Sequence, residues 1–377
     1  MSLKTKRIAA VLTLILIVLS GAVVCYFYSL YRGLEGLNKT DSQKSLFAGV
    51  NAAEAEYTEP PKWLGTEPVN ILLMGVDARG VQKGEIPRSD TMMVVSLDPE
   101  RKRIHLFSIL RDTYTDIPDH GKNRINSAIT YGPNTAMKAV SDLLGIPVQR
   151  YVYTDFQGFI KLVDEIGGVD FYVEKDMNYE SAADQHEYDI HLTEGQQHLD
   201  GKAALQYVRF RHDALSDYSR TKRQRDFTDA VARKMKSTTS IMKLPSILEK
   251  VSPYMDTNLT VNDMWKLASI GYQSTLEGSE QIPPMKLIKE TYRGQAAVLD
   301  VSSRKELKDF VQNIMEAEKS VPAETPDERM KEEERKLKKK LNKHALGLMI
   351  SFSLMIGTVA PGDVKAEPIS RIKQIEG

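Results

Sequence analysis

The sequence predicts an α/β fold, a mixed central sheet covered by helices, preceded by one transmembrane helix. Three observations lead to this prediction. Residues 8–31 contain no charged side chain. Short apolar runs of the buried-strand type begin after Pro68. Segments with the apolar spacing of helices alternate with these runs, and such alternation indicates helices packed on a sheet.

The uncharged segment Ile8–Tyr31 is long enough to cross a bilayer. As a helix, its 24 residues extend about 36 Å at ~1.5 Å per residue, against a hydrocarbon core of ~30 Å. A cleaved secretory signal is the alternative, but its apolar region is usually only about 7–15 residues long and ends in small residues. Here the segment ends in aromatic residues, as an interfacial belt does. They are Tyr26, Phe27, Tyr28 and Tyr31. We therefore predict an uncleaved anchor.

The charges beside the anchor predict its orientation. Three basic residues precede the apolar segment, whereas Arg32 alone follows it directly. Because lysine and arginine are enriched on the cytoplasmic side, the N-terminus is predicted to be cytoplasmic. The protein is then a single-pass type II protein of the cell membrane, with its main domain extracellular.

Composition divides the chain into five predicted regions. Residues 1–7 are the cytoplasmic N-terminus and residues 8–31 the anchor. Residues 32–66 are polar, lack apolar periodicity and predict an extracellular stalk. Residues 67–320 form one α/β domain, long enough for a sizeable core. In residues 321–377 a charged run precedes sixteen uncharged residues, which could be a second membrane contact, a core helix or a sequence joined by fusion or frame error; we interpret this tail as foreign to the main domain.

The pattern within the domain predicts strands and helices in alternation. Residues 69–76 form a buried strand, and residues 90–97 and 103–110 form a hairpin across the turn-rich DPERK. Residues 135–145 have helical spacing and stop at a glycine. Residues 151–173 indicate a strand, a helix, a Gly-Gly turn and another strand.

Composition also excludes several classes of protein. The 51 basic residues balance 51 acidic ones, with a pI near 7.1, which argues against a protein held to nucleic acid by a general positive field. A single cysteine, Cys25, rules out an intramolecular disulfide. No nucleotide-binding glycine loop, zinc-protease motif or nucleophile elbow is present. His105 lies inside a predicted strand and is interpreted as structural.

Charged loops recur at the predicted strand ends. Ligands of open α/β sheets bind near the carboxyl ends of strands. Aspartate alone would suggest a hard cation and arginine alone an anion, so the two together suggest a metal-bound phosphate or pyrophosphate. Mg²⁺ takes one or two carboxylates plus phosphate oxygens, and the arginine fork binds the remaining oxygens in bidentate fashion. The loops contain Asp77, Arg79, Arg88, Asp90, Arg111, Asp112 and, in LQYVRFRHDALSDYSRTKRQRD, Arg209, Arg211, Arg220, Arg223 and Arg225.

These residues also have purely structural interpretations. Asp77, in a Gly-flanked loop, could form a turn, and Asp217 or Ser219 could be the N-cap of a helix. The arginine run could be a solvated basic face. Arg209 and Arg211 would point the same way on a strand or an irregular segment, but would diverge on a helix.

The residues after position 217 have helical spacing. Arg220, Arg223 and Gln224 fit one face of that helix. Lys222 and Arg225 point elsewhere, and we predict that both are solvated.

Seven blocks, in the order and at spacings that suit the family, closely resemble the LytR-CpsA-Psr family. The resemblance covers roughly residues 67–235, and the N-terminal anchor agrees with it. Three departures occur: Leu110 stands where proline is common, Tyr218-Ser219 precede Arg220 where the family has Phe-Gly, and Arg225 stands where a second glutamine is frequent. The blocks are GVDARG, RSDTMMVVSLDP, SILRDT, KNRINSA, GFIKLVDEIGGVDF, ALQYVRFR and DYSRTKRQRDF.

The resemblance implies an enzyme of the Gram-positive cell wall. Such a transferase moves an anionic glycopolymer, wall teichoic acid above all, from an undecaprenyl pyrophosphate carrier to the C6 hydroxyl of MurNAc in peptidoglycan. The prenyl chain lies in an apolar pocket under the sheet, with the pyrophosphate at its mouth. Mg²⁺ is the implied cofactor, with Mn²⁺ as an alternative ion. Implied partners are the lipid-linked donor, peptidoglycan and the cell membrane, and no nucleic acid.

The resemblance also assigns roles to residues of this chain. Asp77 and Asp90 match the aspartates that hold the metal, and with Arg111 they are the implied catalytic residues. Arg111 is the residue most closely tied to catalysis. Asp112 is a candidate base only because it follows Arg111 in the sequence. The implied pyrophosphate-binding residues are Arg88, Arg111, Arg209, Arg211, Arg220 and Gln224.

Two other functions remain open at this point. Proteins of the family have been labelled transcriptional attenuators, but the predicted orientation turns the arginines away from the chromosome. A non-catalytic scaffold that binds lipid-linked wall precursors is the other alternative, and its binding would depend little on Mg²⁺. The sequence leaves open which glycopolymer is carried and which oligomeric state the protein adopts.

Overall fold

The computed structural model describes residues 3–39, 45, 47, 62–77, 85–180, 186, 189–211 and 217–320. The predicted tail 321–377 and Arg79 lie outside the described residues.

The strands are β1 Val69–Val76, β2 Ser89–Asp98, β3 Arg103–Ile109, β4 Tyr114–Ile117, β5 Gly121–Arg124, β6 Arg150–Asp155, β7 Val169–Val173, β8 Met177–Tyr179, β9 Ile190–Leu192, β10 Gly195–Leu199, β11 Met255–Thr257, β12 Thr275–Ile282, β13 Ile288–Arg293 and β14 Ala296–Val301. The helices are α1 Leu3–Glu35, α2 Pro133–Leu144, α3 Phe156–Glu165, α4 Gly201–Arg209, α5 Asp217–Met235, α6 Thr238–Val251, α7 Val261–Gln273 and α8 Arg304–Ser320.

A mixed sheet forms the centre of the domain, in the order β11-β6-β1-β2-β3-β12. β1, β2 and β3 pair antiparallel, whereas β6 and β12 run parallel to β1 and β3 respectively. This confirms the predicted mixed sheet covered by helices. The predicted hairpin is β2–β3, whose turn is closed by the Asp98 carboxylate accepting from the backbone N–H groups of Glu100 and Arg101.

One face of this sheet is closed by close packing. Leu72, Met74 and Phe107 are at most 1% exposed and contact a helical layer that includes α2 and α8. α2 stops where predicted, because Gly145 adopts φ 76°, a left-handed conformation that favours glycine. His105, two residues before Phe107 on β3 and on the same face, is buried and stacks on the Phe107 ring, and it is structural as predicted.

The opposite face of the sheet is covered by two different groups of helices. At the start of β1 it packs against α7, where Leu267 and Ile270 contact Ile71 and Leu97. At the end of β1 it faces α3, α4 and α5, which form a second core with the small strands β7 to β10. Asp155 and Asp200 cap α3 and α4 by accepting from the backbone N–H groups three residues on, so these helices begin at defined positions beside the sheet.

Helix α1 meets the length and hydropathy of a membrane-spanning helix. Its residues 4–25 are exposed on all sides, whereas Leu30, Leu34 and Leu37 are buried against the second core. Further along, Phe47 is fully buried. The described part of the region predicted as a stalk therefore contacts the domain, and the boundaries of the five regions stay a prediction.

Candidate functional site

The ends of several strands meet at one edge of the central sheet. β1, β3 and β6 end there and β2 begins there, since Val76 pairs with Ser89 and Met92 pairs with Ile109. The residues that follow or open these strands, Asp77, Asp90 and Arg111, are thus brought to one edge. Sequence reasoning had assigned all three to strand-end loops.

A bulge directs Asp90 into this site. The β1–β2 register passes from Gly75↔Thr91 to Val76↔Ser89, which leaves Asp90 as an extra residue on β2. Such bulges re-aim a side chain and are common beside functional sites. Asp90 and its neighbour Thr91 consequently both line the same cavity, although adjacent strand residues ordinarily point to opposite faces.

That cavity has a volume of about 600 Å³ and lies between the sheet and helices α3, α4 and α5. Most of its wall is apolar. One end is charged, and every predicted site residue except Arg88 lines it: Asp77, Asp90, Arg111, Arg209, Arg211, Arg220 and Gln224. Its apolar wall includes Leu73, Met93, Val152, Phe159, Leu205 and Phe227.

Arg88 does not share this placement. Its side chain is exposed, and it is not among the residues that line the cavity in the described part of the chain. Arg88 precedes β2, so the strand that brings Asp90 to the cavity leaves Arg88 outside it. The pyrophosphate-binding role implied for Arg88 stays a prediction.

Two aspartates hold the arginines together. Asp90 forms a short ion pair with Arg111 and lies 3.8 Å from Nη2 of Arg211. Asp217 lies 2.6 Å from Nη2 of Arg220 and close to 4 Å from Nε of Arg111 and of Arg211. The cluster therefore joins two strand-end loops to the first turn of α5.

Asp217 is the site residue that sequence reasoning missed. It was interpreted only as a helix cap, whereas the structure places it among three guanidinium groups. The signal for its role was its position three residues before Arg220, which puts both side chains on one face of α5. That spacing indicates a site residue only when other arginines are known to approach the same face of the helix.

Burial and neighbouring charge act against each other on these groups. Burial disfavours the charge of Arg111, but the nearby Asp90, Asp112 and Asp217 carboxylates raise its pKa. Burial, together with the charge of Arg111, lowers the pKa of Arg211. Burial also raises the pKa of the Asp217 carboxyl, against the opposing effect of the arginines.

Arg220 shows most directly what the site can bind. Its side chain is only 2% exposed, and its Nε and Nη2 atoms have no acceptor in hydrogen-bond geometry among the described residues. Leaving a buried charged donor unsatisfied costs free energy, and an anion in the cavity would supply the missing acceptors. The charged end therefore suits phosphate oxygens.

Arg209 and Arg211 lie on either side of a helix end. α4 ends at Arg209, and Phe210 turns the chain out of the helix before Arg211. The irregular backbone lets both side chains line the cavity, as predicted for a segment that is not helical throughout. The Arg209 guanidinium lies 5.1 Å from the ring centroid of Phe156, a cation–π contact.

One prediction for α5 needs correction. Arg223, three residues after Arg220, is buried as Arg220 is, and it pairs with Glu174 at 3.1 Å and donates to the Phe210 carbonyl. Arg225 was predicted to be solvated, but it is buried, and burial lowers its pKa. A single helix periodicity cannot show that other elements cover these sides of α5 as well. Lys222 is exposed as predicted.

Asp112 is also held away from the cavity. It lies 3.3 Å from Nε of Arg124 and 3.6 Å from Nε of Arg111, and it is not among the cavity-lining residues described. Its place in the sequence suggested a base, whereas its contacts are those of a group that orients Arg111. The role of Asp112 as a base stays a prediction.

The carboxylates present fit a magnesium ion that shares a phosphate. No group of three or more His, Cys, Asp or Glu side chains suited to a metal occurs among the described residues. Asp77 and Asp90 both line the charged end, and Mg²⁺ needs only one or two carboxylates when phosphate oxygens and water complete its shell. The binding of Mg²⁺ stays a prediction.

Comparisons with known proteins agree with this architecture. The model of the LytR_cpsA_psr family matches residues 31–313. The polyisoprenyl-teichoic acid–peptidoglycan teichoic acid transferase TagU of Bacillus cereus is 35% identical over 273 residues, 71% of this chain and 83% of that protein. The regulatory protein MsrR of Staphylococcus aureus is 32% identical over 256 residues, covering 64% of this chain and 74% of that protein. A solved structure of the LytR-CPS2A-psr family protein YwtF (TagT) with bound octaprenyl pyrophosphate lipid superposes with a TM-score of 0.51 at 25% identity, over 68% of this chain and 94% of that one.

Proposed function

Because the chain belongs to the LytR-CpsA-Psr family, we propose that it is a membrane-anchored phosphotransferase of the cell wall. It would move an anionic glycopolymer, wall teichoic acid, from an undecaprenyl pyrophosphate carrier to peptidoglycan. The single observation that carries the proposal is the cavity, apolar along most of its wall and lined at one end by Arg111, Arg211 and the buried Arg220. That polarity matches a lipid with a long prenyl tail and a diphosphate head.

The arrangement also suggests how the donor is held. Arg111 and Arg211, now paired with Asp90 and Asp217, can turn their donors toward phosphate oxygens that enter the charged end. Arg220 needs less rearrangement, since its Nε atom has no acceptor among the described residues and its Nη2 atom is paired only with the Asp217 carboxylate. The apolar wall would bury the prenyl chain, which gains about 0.8 kcal/mol for each CH₂ group removed from water.

The reaction would be a displacement at phosphorus. The C6 hydroxyl oxygen of MurNAc attacks the phosphorus nearest the polymer, and the bond from that phosphorus to the bridging oxygen breaks. The polymer becomes linked to peptidoglycan by a phosphodiester, prenyl phosphate leaves, and the hydroxyl proton is released. Arginines placed around the diphosphate stabilise the charge that develops on its oxygens.

Magnesium fits this site as a second source of positive charge. Asp77 and Asp90 would hold the ion, which neutralises part of the diphosphate charge when it is bound. Asp217 keeps three guanidinium groups close together although their charges repel. It is thus a positioning residue rather than one that contacts the reacting atoms.

The extracellular placement completes the proposal. Helix α1 has the length and hydropathy of a single span, and the basic residues in its first two turns favour a cytoplasmic N-terminus. The cavity would then face the cell wall, where the acceptor is.

Transfer by the purified full chain in detergent tests this function. With a lipid pyrophosphate-linked donor, peptidoglycan fragments and Mg²⁺, Arg111→Ala and Asp90→Ala should each lower the transfer rate by roughly 10²–10³-fold. The matched control is Arg101→Ala, because Arg101 pairs with Asp98 in the β2–β3 turn, at the other end of these strands. Equal rates for Arg111→Ala, Asp90→Ala and the parent would show that the site assignment is wrong.

The same assay separates the proposal from its alternatives. A scaffold would bind the donor with little dependence on Mg²⁺ and would release no prenyl phosphate. Since one relative is named regulatory protein MsrR, a regulatory function is a second alternative. Reporter fusions on either side of α1 decide that case, since a cytoplasmic domain would be incompatible with a wall transferase.

A further inference from the structure

Helix α1 packs on α6 with the two helices running in the same direction. The Tyr26 hydroxyl donates to the Ile241 carbonyl over 2.6 Å. Seven residues later on both helices, a Cβ on Gly33 would lie 2.8 Å from Cβ of Leu248, so the backbones approach closely there. Because the contacts advance together along both helices, the N-terminal end of α6 is the end nearest the apolar part of α1.

Burial along α1 shows where a bilayer would end. Residues 4–25 are exposed on all sides, Tyr26 is half-buried and Leu30 is 3% exposed. The exposed and uncharged residues from 8 to 25 number 18 and extend about 27 Å as a helix, close to a hydrocarbon core of ~30 Å. The membrane surface would therefore lie near Tyr26, at the level where Ile241 meets α1.

The part of the domain at this level is apolar at its tip. We call residues 233–243, the turn between α5 and α6 with its flanking helix ends, the α5–α6 corner. Ile241 is 41% exposed and Met242 is 71% exposed, and Lys243 is exposed beside them. On α1 itself, Tyr28 is 67% exposed at the same level. Apolar side chains bordered by lysine, with a tyrosine belt, are typical of surfaces that enter lipid headgroups.

We propose that the α5–α6 corner rests on the outer leaflet of the phospholipid bilayer, with Ile241 and Met242 inserted among the headgroups. The inference rests on the proposed membrane anchoring and adds a second membrane contact to it. Close contact of α1 with α6 holds the domain at a set height and orientation. Lys243 favours anionic headgroups at the same surface.

The corner also orients the cavity. Helix α5 runs along the cavity, with Arg220 and Gln224 at the charged end and Val231 in the apolar wall. Val231 is four residues before the helix ends at Met235, in the corner. From Arg220 to Met235 the helix advances about 22 Å at ~1.5 Å per residue. The apolar end of the cavity is thus the end next to the bilayer, and a prenyl tail can enter without its charged head crossing the apolar wall.

Site-directed labelling of the full chain tests the contact. In a Cys25→Ser background, Val18→Cys, Met242→Cys and Met285→Cys each carry one environment-sensitive fluorophore, and the protein is reconstituted into phosphatidylcholine–phosphatidylglycerol vesicles with brominated acyl chains. Met285 is the matched control, an exposed methionine beyond the end of β12 at the charged edge of the sheet. Bromine should quench the labels at positions 18 and 242 and leave the label at position 285 unquenched.

Each other result has a defined meaning. Quenching at position 18 with a label at 242 as bright as that at 285 would overturn the membrane contact while leaving the anchor intact. No quenching at position 18 would overturn the anchoring and the contact together. Neither result bears on transferase activity, so failure of this inference is distinguishable from failure of the proposed reaction.

A second variant tests whether docking of α1 sets the contact. Gly33→Phe puts a ring where only a glycine fits against Leu248, and should separate α1 from α6. The label at position 242 should then lose its quenching, while the label at position 18 keeps it. Unchanged quenching at position 242 in this variant would show that the α1–α6 contact does not hold the corner on the bilayer.

Discussion

The two faces of the central sheet come from the same strands but are packed in opposite ways. On one face Leu72, Met74 and Phe107 are at most 1% exposed in a continuous core. On the other face Leu73 and Met93 border a cavity of about 600 Å³. Protein interiors are ordinarily close-packed, with few voids larger than a water molecule. The first face thus stabilises the fold, whereas the second leaves a cavity large enough for a ligand.

A pair of adjacent leucines on β1 should show the largest difference between the faces. Leu72→Ala removes a fully buried side chain from the packed face and should lower the free energy of unfolding by about 3 kcal/mol, within the range of ~2–5 kcal/mol for such truncations. Leu73→Ala should cost only about 1 kcal/mol, because the removed atoms already border open space. Urea unfolding followed by tryptophan fluorescence measures both. Equal losses would mean that the two faces are equally packed.

Arg220 should have the next largest effect, on binding rather than on stability. Arg220→Met removes a buried guanidinium with unsatisfied donors and should weaken the binding of a short prenyl pyrophosphate by roughly 100-fold, about 2.7 kcal/mol. Lys222→Met, two residues away on the exposed side of α5, should bind as the parent does. Titration calorimetry gives both affinities, and equal weakening would point to nonspecific charge attraction.

Filling the cavity should have the smallest effect and the most selective one. Val231→Trp places an indole in the apolar wall and should weaken binding of a long-chain prenyl pyrophosphate about tenfold, near 1.4 kcal/mol. Binding of inorganic pyrophosphate should be unchanged. The neighbouring Ala232→Trp points to solvent and serves as control. If Val231→Trp binds the long chain normally, the tail does not occupy this cavity.

Local pattern was sufficient for much of the fold. The β2–β3 hairpin, α2 with its stop at Gly145 and the position of Asp77 after β1 follow from apolar periodicity and turn chemistry, which depend on neighbours in sequence. The strand-end placement of Asp90 and Arg111 follows in the same way. Even so, the bulge that turns Asp90 into the cavity is a property of the β1–β2 pairing, so the sequence of either strand alone does not predict it.

The errors fall where an element is covered on more than one side. Arg225 was predicted to be solvated, since a helix seen alone has one buried face. In the folded chain α5 contacts the sheet, α4 and α6, so Arg223 and Arg225 are buried as well. Asp217 was missed for the related reason that its partners Arg111 and Arg211 are distant in sequence.

The sequence by itself determined the apolar helix long enough to span a membrane, the alternation of strands and helices, and the chemistry of the charged loops. These are properties of composition and periodicity, which act over a few residues. Only the tertiary structure decided that Arg220 is buried with an unsatisfied Nε donor, that Asp217 joins three arginines and that a cavity separates the sheet from α5. Such features depend on which surfaces meet and how much volume is left between them, and that balance is set by the packing of the whole domain.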